Sequence, residues 1–458
     1  MWVRSFALGI GAILLVACGS DADSVSGPPG VLMPGFERSK LGNGLTLLVL
    51  PDHSVPLVTA TVVLHSGAFV EEEAQSGYSH LLEHMLLKAN GLQPNPEELD
   101  DELRRRGILK NGLTGRDRVA YYYVMPGSEL EEGLKLFAAS LRSPQFDEAS
   151  LQTEIDVVLA EYDRAEADPV NVQWRRASEL LFPGHPNRVN ALGRRDAIAD
   201  ATPEALQALY ETYYVPNNAC LILIGDVDTD DALELTTRYF GDWAKAPDPF
   251  RTQPLPEDPP LSKSSSDLLA GDVHLSQLTV AFHGPGTTRS FKDSVAADLL
   301  AQVTTLSDHV FRTLVSPPAI VGASFLHVAS PQVGELRIEL SVGTGHETEA
   351  LDQLRWFDRF DEITPEQLDT ARDQLWARYL RASDSSLDLS LQTANDWALG
   401  RLDPEHDRIA TLYELEPADL QRFWSRYLAD QHSVAVLLTS SDHVSTALEG
   451  RLKQAVSW

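Results

Sequence analysis

The sequence predicts a two-domain protein of mixed helices and strands, in which the second domain is a copy of the first. Its 458 residues are too many for one ordinary hydrophobic core, and a content of 43% hydrophobic and 23% charged residues is that of a globular chain. Apolar runs of strand length and amphipathic helical patterns occur along the same chain. Together with an internal repeat, these observations favour duplication of one mixed fold.

The repeat is visible in two places. In both halves a Leu-Gln pair followed by two aromatic residues precedes an apolar strand, and the spacing within this pattern is the same for the pair at 206–207 and the pair at 420–421. The strand that ends at His65 is similarly matched by the one that ends at His283. A period this long indicates duplication of a whole domain. Residues 245–263 contain six prolines and are typical of a stiff linker. We therefore predict domains at 36–244 and 264–458.

The first half divides into elements by its hydrophobic periodicity. Residues 45–50 and 57–65 are β-rich and are separated by a short turn, so we expect them to pair as a hairpin. The further elements that we predict are a helix at 97–106, strands at 108–114 and 119–124, and helices at 129–140 and 148–165. Cys220 lies in an apolar run and is predicted to be a buried strand residue.

Residues 79–85 (Ser-His-Leu-Leu-Glu-His-Met) are predicted to form a buried helical turn. At 3.6 residues per turn, His80 and His84 lie on one face, with Glu83 beside them. The neighbouring leucines favour burial, and ionisable groups in such a helix need a polar partner. Zinc is a suitable partner, because its tetrahedral sites accept two imidazoles from one helical face. The H-x-x-E-H order is the inverzincin signature. The alternative is a pair of surface histidines spaced by chance, which the apolar setting disfavours.

A second polar pattern lies in the helix predicted at 148–165. Glu154 and Glu161 are two helical turns apart and therefore share a face. This makes Glu161 a candidate third metal ligand and Glu154 a candidate outer group that orients a ligand. Taken alone, the pair is a weak signal, because an isolated pair of glutamates is far more often part of a solvated acidic helix face.

The N-terminus has the composition of an export signal. Arg4 is followed by an apolar run too short to span a bilayer, which ends in Leu-Val-Ala-Cys. This resembles a bacterial lipoprotein cleavage box, so residues 1–18 are predicted to be the signal with a lipidated Cys18. Gly19 follows the cysteine, which favours the outer membrane, facing the periplasm. The alternative is an ordinary cleaved signal with an incidental cysteine. Residues 19–35 are rich in Ser, Asp, Gly and Pro and are predicted to be a flexible tether.

The charge of the chain limits its partners. With 37 basic and 67 acidic residues, the formal net charge is −30. Nucleic-acid binding needs a basic footprint and is therefore disfavoured. Attraction to cationic peptides is compatible with this charge, although solubility is the simpler interpretation.

These motifs together resemble the pitrilysin/insulinase zinc metallopeptidases, in particular the short two-domain members related to the mitochondrial processing peptidase. Family members carry H-x-x-E-H and, further along the chain, a glutamate that is preceded by another essential glutamate two helical turns earlier. Glu161 and Glu154 stand at the matching distances from His84 in this sequence. The other matching stretches are Asn111 to Thr114, Leu192-Gly193 and Tyr214 to Asn218. The resemblance covers nearly all of residues 38–458.

The resemblance implies a fold and a mechanism. Each half would be an α+β roll, a mainly antiparallel sheet with helices packed on one side. One Zn²⁺ per chain would be held by His80, His84 and Glu161, and Glu83 would act as general base on the zinc-activated water. The strand that contains Asn111 and Thr114 would bind peptide substrates by edge pairing. Gly112 replaces a family alanine, and we expect this change to be harmless.

The sequence departs from the family in its second half. Active members carry an Arg and a Tyr that hold the substrate carbonyl opposite the zinc, and here Val315 and Gly322 fall at those positions. Two-subunit members divide the zinc motif and the Arg-Tyr pair between chains. We therefore expect this chain to be the zinc-bearing subunit of a heterodimer. The alternatives are a non-catalytic scaffold or binding subunit of the same family and, less favoured, a zinc enzyme of unrelated chemistry.

Overall fold

The computed structural model describes residues 35–306, 314–354, 363–402 and 407–456, which form two β-sheets with helices around them. The strands of the first half are β1 (Glu37–Lys40), β2 (Thr46–Pro51), β3 (Leu57–Leu64), β4 (Leu109–Thr114), β5 (Val119–Pro126) and β6 (Ala219–Gly225). Those of the second half are β7 (Ser265–Ala270), β8 (Leu275–Pro285), β9 (Ile320–Val328), β10 (Val333–Gly343) and β11 (Val434–Thr439).

Helices follow or precede these strands in both halves. In the first half they are α1 (Tyr78–Leu86), α2 (Pro96–Arg105), α3 (Leu130–Arg142), α4 (Glu148–Glu166), α5 (Pro169–Leu181), α6 (Arg195–Ala199), α7 (Pro203–Tyr213), α8 (Thr229–Phe240) and α9 (Pro249–Thr252). In the second half they are α10 (Phe291–Val303), α11 (Glu347–Asp352), α12 (Pro365–Ala382), α13 (Ser386–Ala398), α14 (Arg408–Glu414), α15 (Pro417–Tyr427) and α16 (Thr446–Ala455).

The two sheets share one topology. The first has the strand order β1-β2-β6-β3-β5-β4, and the second has the order β7-β11-β8-β10-β9, which repeats the last five positions. In each sheet one neighbouring pair is parallel (β2 with β6, and β7 with β11) and the others are antiparallel. The predicted α+β class, with two mainly antiparallel sheets, is confirmed.

The predicted hairpin of the first two apolar runs is wrong. Strands β2 and β3 both form, but β6 lies between them, parallel to β2 and antiparallel to β3. The strand that separates them contains the buried residue Cys220. Because β6 comes from the far end of the domain, the short turn at 52–56 joins two strands that are not neighbours.

One face of each sheet packs against the helices of its own half, and the opposite face is covered by a helix from the other half. Helix α5 and the residue that follows it contribute Ala177, Leu181 and Phe182 to an apolar cluster with the second sheet. The Gln173 side-chain amide donates to the backbone carbonyls of Gln277 and Val436, both at 2.8 Å. In return, α13 packs Leu389, Ala394 and Ala398 against the first sheet. The two halves are therefore joined by exchanged helices as well as by residues 245–263. None of the helices within the described ranges is long and apolar enough to cross a bilayer.

Candidate metal centre

Helix α1 follows β3 and packs against α4, so that its polar stripe faces the acidic side of that helix. Leu81, Leu82 and Leu86 of α1 are buried in the core of the first half. The remaining face holds the rings of His80 and His84, whose centroids are 4.9 Å apart. The apolar periodicity of α1 thus orients the two imidazoles towards the same point.

His80, His84 and Glu161 meet at this point. One donor atom from each, the two Nε2 atoms and a carboxylate oxygen, lies within 4.8 Å of the others. Glu161 Oε2 is 3.5 Å from His80 Nε2 and 3.9 Å from His84 Nε2. Ligands about 2.1 Å from a tetrahedral zinc ion are separated by roughly 3.4 Å, so the donor set and its spacing fit zinc. In the described residues, this is the one group of histidine, cysteine and carboxylate side chains with such convergence.

Both imidazoles are suited to ligation through Nε2. Burial and the neighbouring His84 lower the pKa of His80 to about 4, so its ring is neutral. Burial also lowers the pKa of His84, but its hydrogen bond with Glu154 and the nearby carboxylates raise it above the ordinary value. That hydrogen bond joins His84 Nδ1 to Glu154 Oε2 at 2.9 Å. It leaves Nε2 directed at the convergence point, as in other histidine metal ligands whose second nitrogen is hydrogen-bonded.

Glu154 is held from two sides. Its second oxygen, Oε1, is 3.0 Å from Lys88 Nζ, while Oε2 bonds to His84. Glu154 is 3% exposed, and burial alone raises its pKa, but the hydrogen bonds from His84 and Lys88 lower it. Lys88 was not among the predicted site residues; it lies in the turn that follows the end of α1.

Glu83 lies beside the three donor atoms and is buried. Thr114 Oγ1 donates a hydrogen bond to Glu83 Oε2 at 2.5 Å, and burial raises the pKa of Glu83 against the effect of this bond. Gly112, on the neighbouring strand β4, makes room for the side chain. A Cβ atom at position 112 would lie 2.5 Å from Glu83 Cγ, closer than two carbons can approach. The glycine therefore has a consequence that was not anticipated from the sequence.

Replacing Gly112 with alanine is expected to displace the Glu83 carboxylate and weaken its bond to Thr114. Because the family that the sequence resembles carries alanine here beside the same glutamate, the flexible Glu83 side chain can shift to make room. We therefore expect a loss of only about two- to tenfold in the peptide hydrolysis that the resemblance implies, below the roughly hundredfold that a displacement of about 1 Å at a catalytic group can cost, with zinc affinity unchanged. Gly115→Ala is the matched control, because a Cβ there meets nothing nearer than 3.5 Å. If Gly112→Ala and the wild type hydrolyse peptides at equal rates, the placement of Glu83 does not depend on a glycine at residue 112.

Strand β4 forms one end of the first sheet, so its outer edge lacks a strand partner among the described residues. Leu109 and Leu113 are 69% and 49% exposed along it. Thr114 uses its hydroxyl on Glu83, and Asn111 Oδ1 accepts the amide N–H of Gly112 at 2.9 Å. Strand β4 thus lies next to Glu83, and the side chains of Asn111 and Thr114 bond to groups of the protein itself. Its role in binding substrate stays a prediction.

The predicted departure in the second half lies partly in the described residues. Gly322 is in β9 opposite Ser341, and an added Cβ would meet only Ser341, at 3.7 Å. Val315 immediately precedes the turn that leads into β9. Neither residue offers a side-chain hydrogen-bond donor. Residues 307–313, which are separated from Val315 by one residue, are outside the described ranges.

The second half places a different cluster at the position equivalent to α1. Helix α10 follows β8 as α1 follows β3, and Asp298 and Gln302 are one turn apart on it. The Asp298 carboxylate contacts His327 Nδ1 (2.8 Å), Arg408 (2.9 Å) and Arg401 (3.1 Å). Burial alone raises the pKa of Asp298, but the charges of Arg401 and Arg408 and the hydrogen bond with His327 hold it well below its usual range. Here the buried acid is neutralised by side chains of the protein.

Comparison with known proteins agrees with this architecture. The family model for insulinase (peptidase family M16) matches residues 47–186, and the model for the peptidase M16 inactive domain matches residues 200–375. The chain therefore belongs to the insulinase family, peptidase family M16.

Individual relatives differ in how much of their length is matched. The chain is 24% identical over 443 residues to the zinc protease PqqE of Helicobacter pylori, covering 94% of this chain and 98% of that protein. It is 27% identical over 265 residues to a probable mitochondrial-processing peptidase subunit beta of Arabidopsis thaliana, covering 57% of this chain and 49% of that protein. The crystal structure of the periplasmic protease PqqL from Escherichia coli superposes with a TM-score of 0.74 at 18% identity, covering 92% of this chain and 50% of that chain, and so shares the fold.

Proposed function

We propose that this protein is a zinc-dependent endopeptidase that hydrolyses peptides or unfolded segments, with one Zn²⁺ held by His80, His84 and Glu161. The observation that carries the proposal is the convergence of two imidazole nitrogens and one carboxylate oxygen. Three protein ligands leave a fourth position for water, which is the arrangement of catalytic rather than structural zinc sites. A relative that matches along nearly its whole length is named a zinc protease.

The residues of the chain have distinct tasks in this mechanism. Zinc supplies Lewis acidity when bound, polarising the substrate carbonyl and lowering the pKa of water. Glu83 accepts the proton of the attacking water and returns it to the leaving amine. Thr114 fixes the Glu83 carboxylate, and Glu154 orients His84. The outer edge of β4 binds an extended peptide by main-chain hydrogen bonds, which tolerate many sequences.

The chain acts, in this proposal, as the zinc-bearing subunit of a heterodimer. Val315 and Gly322 provide no donor for the oxyanion that forms on the substrate, and losing such a donor costs roughly 3 kcal/mol of transition-state stabilisation. A related partner that lacks H-x-x-E-H would supply the Arg-Tyr pair. The mitochondrial-processing relative is itself named as a subunit.

Hydrolysis of a quenched-fluorescent peptide library tests this proposal. We expect the purified protein to be nearly inactive alone and active when mixed with the related partner subunit. Robust activity of the chain alone, free of contaminants, would contradict the heterodimer. Absence of hydrolysis in every mixture, with zinc bound stoichiometrically, would instead favour a non-catalytic scaffold or binding subunit.

We further propose a location in the bacterial cell envelope, with lipidated Cys18 holding the protein at the outer membrane facing the periplasm. The Escherichia coli structural relative is named as periplasmic, and the N-terminal sequence has the pattern of a lipoprotein signal. Cys18 itself lies outside the described residues. Cells given a labelled fatty acid are expected to label the wild-type protein but not Cys18→Ser, and equal labelling would exclude this anchor.

A further inference from the structure

The first turn of α1 is unable to cap itself. Its N-cap residue, Gly77, has a left-handed backbone conformation (φ of 102°) and offers no side chain to the free amides of the helix. A Cβ at this position would lie 2.7 Å from Ile198 Cγ1 and 3.1 Å from the Leu192 carbonyl oxygen. Glycine is therefore required at residue 77. The unpaired N–H groups of the first turn need an acceptor from elsewhere, because helix ends are normally satisfied by caps, water or ligands.

Glu71 supplies that acceptor from the loop before the helix. Its Oε2 accepts the amide N–H of Gly77 at 2.7 Å, and its Oε1 accepts the amide N–H of Ser79 at 2.6 Å. The residue is partly exposed, but its carboxylate is enclosed by protein, and this burial raises the pKa of Glu71 to about 7 against the effect of the two hydrogen bonds. A negative charge at a helix N-terminus is favoured by the helix dipole.

The capped turn carries the first candidate ligand. Tyr78 is the first residue of α1, and His80 is the third, so His80 lies within the turn that Glu71 holds. His84 lies one turn further on and is fixed independently by Glu154. If the first turn frays, His80 moves while His84 remains in place. The Nε2 atoms then no longer converge with Glu161.

We propose that Glu71 is a positioning residue of the metal centre: by capping the first turn of α1, it fixes where His80 stands relative to His84 and so sets the affinity for zinc. This inference rests on the proposed zinc function. The Glu71 carboxylate acts through the backbone amides of Gly77 and Ser79. Groups that orient metal ligands from outside the coordination sphere typically change metal affinity by about 10- to 100-fold when replaced.

The test compares Glu71→Gln with wild type in the full chain. Glutamine has the same shape but directs an NH₂ group at one of the two backbone donors. We expect zinc affinity, measured by competition with a chelator, to fall by about tenfold. Hydrogen exchange in the segment 75–82 of the metal-free protein is expected to accelerate, with the rest of α1 unchanged. Glu73→Gln is the matched control, since Glu73 is in the same loop and pairs with Arg194 on the surface.

Three outcomes are decisive. Unchanged zinc affinity and exchange in Glu71→Gln would overturn the inference. If that variant does not fold, the wild type still provides a test. Coupling between zinc binding and the order of the first turn is reciprocal, so bound zinc must slow hydrogen exchange in segment 75–82. Identical exchange with and without zinc would overturn the inference. A wild type that binds no zinc would refute the proposed function itself and this inference with it, which separates the two failures.

Discussion

Replacing Glu83 by glutamine is expected to reduce kcat for peptide hydrolysis by about 10²- to 10⁴-fold, the usual contribution of a general base. The comparison uses the mixture in which the wild type is active. Glutamine keeps the size of the side chain, and its carbonyl oxygen still accepts the hydrogen bond of Thr114, whose hydroxyl contacts Glu83 at 2.5 Å. What the variant loses is the ability to accept a proton. Initial rates with a quenched-fluorescent peptide measure the effect.

The zinc content of this variant distinguishes chemistry from structure. Glu83 is not one of the three converging donors, so metal analysis is expected to find one zinc ion per chain in both proteins. Glu97→Gln is a suitable control, because Glu97 is exposed on α2 and its substitution is expected to leave the rate of hydrolysis unchanged. If the Glu83→Gln variant keeps more than a tenth of the wild-type rate, Glu83 is not the general base. If the variant loses zinc, Glu83 supports the structure of the metal site.

The features of the site that sequence predicts are those set by helical periodicity. His80 and His84 are one turn apart and Glu154 and Glu161 are two turns apart, so each pair shares a face whatever the tertiary structure. The structure does bring the histidine pair and Glu161 together, because α1 and α4 pack with these faces in contact. Lys88 does not belong to this class, because it lies in the turn after α1 and reaches Glu154 only through the packing of α1 against α4.

The features that sequence does not predict depend on contacts between distant segments. Strand β6 inserts between β2 and β3 from the far end of the domain, and no local pattern encodes that order. The contact between Gly112 and Glu83 requires β4 to lie beside α1, and the Glu71 cap depends on a loop whose residues have no periodicity. Local spacing thus identifies the reactive groups, whereas their supports come from tertiary packing.

The exchange of helices between the halves has a similar origin. The internal repeat indicates that the halves are copies, and each sheet has one face covered by its own helices. The second face is apolar in both sheets and is covered by α5 or α13 of the opposite half. Arg116 of the first half adds an ion pair to the buried Glu335 of the second at 3.5 Å. The packing therefore crosses the boundaries predicted at 244 and 264, which themselves stay a prediction.

Removing zinc is expected to lower the thermal stability of the protein strongly. A ligand that binds only the folded state stabilises it by about 4 kcal/mol when its free concentration is about a thousandfold above Kd. For a domain of about 200 residues, this corresponds to a decrease in Tm of roughly 10 °C after chelation. The electrostatics reinforce the effect, since three carboxylates, Glu83, Glu154 and Glu161, surround the site, and burial together with the charge of Glu161 raises the pKa of Glu83. Calorimetry with and without chelator measures the change.

Glu161→Gln provides the decisive variant for this prediction. The substitution removes the anionic ligand while leaving both imidazoles, so zinc should neither bind tightly nor raise Tm. Because one repulsive charge is also gone, the metal-free variant is expected to be at least as stable as the metal-free wild type. Asp156→Asn is the matched control, an exposed position on the same helix that should retain the full response to chelation. If wild type and Glu161→Gln respond equally to the chelator, the stabilising metal is bound elsewhere, and the His80, His84 and Glu161 site is refuted as its origin.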